Sequence, residues 1–115
     1  MKNNVEMRNN LKDFVGKDII VEGFVTKCYD DTQRILIREI FDEKGNFLTN
    51  HCNMFTDGDK RYQKGKEKAE RLYNEVKNVE KRKIKFIARV TAYKCKKNGE
   101  INYGLSFFKK LLEVK

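Results

Sequence analysis

Where the hydrophobic period changes along this chain constrains its fold more than any single motif. Apolar residues recur at every second position in five stretches, and at helical spacing in one long stretch between the third and the fourth. Period two sends alternate side chains to opposite faces of a strand, whereas a period near 3.6 gathers them on one face of a helix. In the first stretch, about 18–28, Ile19, Val21, Gly23 and Val25 alternate with Ile20, Glu22, Phe24 and Thr26. The second covers about 33–41. There Ile35 and Ile37 share a face but Ile40 falls on the other, which predicts a bulge near Arg38. The third, about 46–55, turns Leu48, Cys52 and Met54 inward and Phe47, Thr49, His51, Asn53 and Phe55 outward. The fourth, about 83–94, lines one face with Ile84, Phe86, Ala88, Val90 and Ala92 and the other with Lys83, Lys85, Ile87, Arg89, Thr91 and Tyr93. The fifth runs about 100–108 and leaves 109–115 as a tail of either kind.

The connections carry their own chemistry. Asp30-Asp31-Thr32 and Asp42–Asn46 are turn sequences, and Lys97-Asn98-Gly99-Glu100 predicts a type I′ hairpin. Thr56-Asp57-Gly58-Asp59 ends the third strand and offers Asp57 or Asp59 as a helix N-cap. The helix itself lies within 60–79, with Ala69, Leu72, Tyr73, Val76 and Val79 as a narrow apolar stripe. A short leading helix, about 3–14, stops at Gly16.

Three strands, a helix and two strands, behind a leading helix, resemble an OB-fold: a mainly β, five-stranded Greek-key barrel with a helix between strands three and four. A ferredoxin-like or RRM domain needs a helix between its first two strands, and only a turn stands there. With 115 residues and no Pro, Gly or Ser-rich linker, residues 1–115 read as one domain.

The segment Val15-Gly16-Lys17-Asp18-Ile19-Ile20-Val21-Glu22-Gly23-Phe24-Val25 resembles the first strand of the anticodon-binding OB domains of class II aminoacyl-tRNA synthetases. Asp42-Glu43-Lys44-Gly45 is similar to that family's Asp-x-x-Gly turn, so the resemblance covers about residues 14–55. Ile40-Phe41 stands where the family has Leu-Arg, and Leu48 falls near its anticodon-reading Gln. What the resemblance implies is therefore the architecture, in a superfamily whose members mostly bind single-stranded nucleic acid or oligosaccharide.

Charge narrows the partner. The net charge of +9 is uneven: residues 60–97 hold 15 Lys and Arg against four Asp and Glu, and the rest of the chain is slightly acidic. Excess cations of this kind point to a polyanion, with phosphates expected toward the fourth strand and the loop after it. No apolar run approaches the length of a membrane span, and the first residues lack the apolar region of a signal peptide. Three Cys with no C-x-x-C spacing read as reduced thiols in a cytoplasmic protein.

In an OB barrel ligands cross strands two and three, between the loops joining strands one to two and four to five. Phe47, His51 and Phe55 occupy the outer face of strand three; Tyr29 borders the first loop, and Tyr93, Lys94, Lys96 and Lys97 the second. Rings stack on bases without reading sequence, and cations beside them displace counterions from phosphates. Arg34, Arg38, Lys85 and Arg89 complete the candidate set. Phe24 is expected to cover a barrel end instead.

His51 and Cys52 point to opposite faces, so no metal site is expected. No nucleotide-binding loop or catalytic motif is present, so neither an enzyme nor a cofactor is indicated. The chain thus reads as a binder of single-stranded DNA or RNA with little sequence preference. The competing expectation is a protein-interaction module, an adaptor or inhibitor of the kind a phage or mobile element encodes, docking an acidic site on a host protein.

Overall fold

The structure, a computed structural model, describes residues 8–56 and 63–115. A 3-10 helix, Asn9–Phe14, leads into β1 (Asp18–Tyr29), β2 (Arg34–Asp42) and β3 (Phe47–Phe55). Then come α1 (Gln63–Lys77), β4 (Lys83–Lys94) and β5 (Ile101–Val114). The expected N-caps Asp57 and Asp59, and the start of the leading helix before residue 8, lie outside the described residues.

The strands close into a barrel in the order β1-β2-β3-β5-β4, with β4 returning to β1. This strand order, with one helix between β3 and β4, is that of an OB-like barrel. The inward residues of the alternation fill it: Val21, Val25, Ile35, Ile37, Ile84, Phe86 and Phe108 are all essentially inaccessible to solvent. Phe86 and Phe108 stack with centroids 4.7 Å apart.

The expected bulge falls at Glu39, whose φ of 52° accompanies the shift in register with β1 and returns Ile40 to the core. Gly23 makes room for it. A Cβ there would stand 2.6 Å from Ile37 Cγ2, so β1 can cross β2 this closely only without a side chain.

Each barrel end is plugged. Leu11 of the 3-10 helix enters the core at one end, where Gly16 N donates to Val90 O and Val90 N donates to Lys17 O. At the other end α1 buries Ala69, Tyr73 and Val76, the apolar stripe of the sequence. Thr56 Oγ1 donates to Ala69 O at 2.8 Å. Among the described residues no helix is long and apolar enough to cross a membrane.

Three expectations need correction. Residues 109–114 continue β5 rather than forming a separate tail. Ser106, Lys109 and Leu112 are skipped in the register with β4, and these bulges erase period two from the sequence. Thr49, expected outward, is fully buried beside the Arg8 guanidinium. The β4–β5 hairpin closes by Gly99 N donating to Cys95 O, with Gly99 alone at positive φ (73°), so it is not a type I′ turn.

Candidate nucleic-acid interface

Strand pairing assembles the outer face of β1, β2 and β3 rank by rank. Tyr29 lies opposite Arg34, and Arg34 opposite Phe55. The next rank is Lys27, Leu36 and Asn53, followed by Phe24, Arg38 and His51. At the far end Phe41 faces Phe47, edge to face with centroids 5.5 Å apart, and Phe47 is 48% exposed. The bulge at Glu39 keeps Arg38 outward although Ile40, two residues on, is buried.

Cations on this face lean on rings. Arg34 Cζ stands 4.1 Å and Lys27 Nζ 4.9 Å from the Tyr29 centroid. Tyr29 is therefore half-buried under its own cations, and the flat guanidinium of Arg34 is the surface a base would meet there. Arg34 Nε is buried and makes no hydrogen bond among the described residues. No ion pair among those residues engages Lys27, Arg34 or Arg38.

β3 and β5 are bridged only at Phe55 and Phe107, in parallel, and the gap beside that bridge is closed by Arg8. Its Nε donates to Thr49 Oγ1 at 2.8 Å and its Nη2 to His51 O at 3.3 Å. Its Nη1 donates to Tyr93 Oη at 2.8 Å and to Tyr103 O at 3.0 Å. One side chain thus ties β3, β4 and β5 together and sets the Tyr93 ring beside His51. The cleft around them, about 300 Å³, is lined by Arg8, His51, Asn53, Tyr93, Gly104 and Ser106 among others. Lys94, Lys96 and Lys97 are exposed at the adjoining hairpin.

The β1–β2 loop on the opposite flank is fastened to α1. Asp30 accepts from Tyr73 Oη and from Lys77 Nζ, both at 2.7 Å, and these bonds hold its carboxyl below the usual carboxylate range. Burial, together with Asp30 alongside, holds the Tyr73 phenol well above its ordinary value. Burial likewise pushes the Cys28 thiol up to about 11, so it is an inert core group.

Not every candidate lies on this face. Lys85 sits on β4 opposite Glu22 of β1 and Glu113 of β5. Arg89 Nε donates to Asp18 Oδ1 at 2.8 Å, and Asp18 raises the guanidinium's pKa further. Glu22 also receives Lys83 at 3.8 Å and Lys115 at 3.5 Å. The positive run at β4 is thereby opposed by acids from β1 and β5. Lys27, Arg34 and Arg38, on β1 and β2, have no such partner among the described residues. Arg89 still adjoins the site through Phe107, its neighbour across the sheet.

Four contributors were missed in the sequence: Arg8, Phe24, Lys27 and Phe107. Phe24 is exposed opposite Arg38 and covers no barrel end. The alternation Val21, Gly23, Val25 already marked it as outward. Lys27 was hidden by the register shift at Thr26, and Phe107 by the bulge at Ser106. An isolated Arg8 carries no signal of its own. Among the described residues no group of His, Cys, Asp or Glu gathers to hold a metal ion. The chain matches no family model, and no curated protein or solved structure resembles it significantly.

Proposed function

We propose that this barrel binds single-stranded DNA or RNA through the outer face of β1–β3, with little sequence preference. The observation that carries the reading is the interleaving of Lys27, Arg34 and Arg38 with Phe24, Tyr29, His51 and Phe55 on one sheet surface, with no carboxylate among the described residues paired to the cations. Bases stack on Phe24, Phe55, Tyr93 and the Arg34 plane, each contact contributing about 1–3 kcal/mol. Phosphates meet Lys27, Arg38 and the hairpin lysines. The face offers rings and point charges rather than paired donors and acceptors in fixed array, so it favours strands of any sequence.

The test is fluorescence anisotropy with labelled single-stranded DNA, RNA and duplex at about 50 and about 200 mM salt. Single strands bind, more tightly than duplex, and affinity falls steeply with salt. No binding of any of them at low salt overturns the proposal. The protein-docking alternative is distinguished by substituting Phe24→Ala and Phe55→Ala together: oligonucleotide affinity drops if bases stack there and is unchanged if the face meets only an acidic protein surface.

A further inference from the structure

We infer that the groove between α1 and β5 is a second phosphate-binding surface, carrying the backbone of the same single strand past the aromatic face. This rests on the nucleic-acid reading above. The groove encloses about 490 Å³, with Lys68 and Arg71 on the α1 wall and Lys109 and Lys110 on the β5 wall over an apolar floor of Leu72 and Leu111. Among the described residues its one carboxylate is Glu75.

Three observations carry the inference. First, among the described residues none of these four cations joins an ion pair, whereas Lys77, Lys83, Arg89 and Lys115 each do. Like charges on two facing walls repel, and an anion between them relieves the repulsion. Second, the groove continues the candidate interface. β3 ends at Phe55, where its bridge to β5 is Phe107, and Lys109 and Lys110 follow two and three residues later. The register skips Lys109 between Ala88↔Phe108 and Ile87↔Lys110, so this lysine leaves the ladder as a bulge. Third, among the described residues the groove holds no aromatic ring. It is suited to phosphates and not to bases, so it adds affinity with strand length and no sequence preference.

The test compares labelled oligothymidylates of about five and about fifteen nucleotides, one confined to the aromatic face and one long enough to reach beyond it. The groove variant substitutes Lys68→Gln, Arg71→Gln and Lys110→Gln, all exposed side chains whose loss leaves the core intact. For the longer strand, the slope of log affinity against log salt becomes shallower by about 2, from three phosphates at roughly 0.7 each. The shorter strand binds wild type and variant alike. If the wild type binds both strands and the variant keeps the full slope with the longer one, the groove is not a phosphate site. An equal loss with both strands also overturns the inference, because it marks a general field effect. If the wild type binds neither strand, the reading of the aromatic face itself falls.

Discussion

Arg34 covers Tyr29: its guanidinium carbon stands 4.1 Å from the ring centroid, on the rank that continues to Phe55. The contact gives a flexible cation a fixed plane. Arg→Lys keeps the charge and loses that plane, and a lysine stem cannot present a flat surface to a base. We therefore expect Arg34→Lys to weaken oligonucleotide binding about tenfold with the salt slope nearly unchanged, while Arg34→Gln lowers both affinity and slope. Anisotropy titrations over a salt series check this. Full affinity in Arg34→Lys would show that only the charge matters.

Arg8 joins what the strand ladders leave apart. Its four side-chain hydrogen bonds reach Thr49, His51, Tyr93 and Tyr103 across a gap where β3 and β5 share one bridge. Arg8→Ala should lower stability by about 1–3 kcal/mol and release Tyr93 from its place beside His51. Lysine lacks the forked donors, so Arg8→Lys should restore little of either. Urea denaturation reads the stability, and tyrosine ring resonances in NMR read the release. Wild-type stability in Arg8→Ala would mean that the four side-chain bonds add nothing to the fold.

These two residues mark what the sequence could and could not express. Alternation at Ile19–Val25 and Ile84–Val90 is regular where those segments pair with each other without a shift, so strand order and helix position were legible from periodicity alone. Thr49, Lys27 and residues 109–114 were not. Each lies at or beyond a register shift, where one extra residue reverses the expected face or hides the repeat. Charge was legible only in part. The run of lysines at 81–97 looked like a phosphate track, but Asp18, Glu22 and Glu113, all distant in sequence, lie across the ladder from β4. Local composition reports the charges a strand carries, whereas pairing decides which remain available.

Gly23 shows a close approach that periodicity did show as an inward position but not as a requirement. A Cβ would stand 2.6 Å from Ile37 Cγ2, 3.2 Å from Ile40 Cγ1 and 3.3 Å from the Arg38 carbonyl oxygen. The obstacles include backbone and fully buried branched side chains, so relief requires β1 to move away from the bulge at Glu39. Gly23→Ala should cost about 1–3 kcal/mol by overpacking. It should also weaken oligonucleotide binding, because Phe24 and Arg38 face each other across this crossing. Thermal unfolding and anisotropy on the same variant measure the two effects. Unchanged stability would mean that the β1–β2 crossing is looser than the 2.6 Å approach implies.

Asp30 makes the fastening of the β1–β2 loop sensitive to acid. Hydrogen bonds first from Lys77 and then from Tyr73 hold its carboxyl below the ordinary value of 3.8. The folded protein therefore binds this proton less tightly than the unfolded chain does. The stability it contributes is present in full above the unfolded value and disappears as pH falls through the depressed folded one. Urea midpoints for the wild type should fall between about pH 5 and about pH 2 more steeply than those of Asp30→Asn, which keeps the shape and removes the charge. The variant should be the less stable at neutral pH, and the two curves should converge in acid. Parallel curves would mean that the Asp30 bonds to Lys77 and Tyr73 form equally in the unfolded chain, or add nothing to the fold.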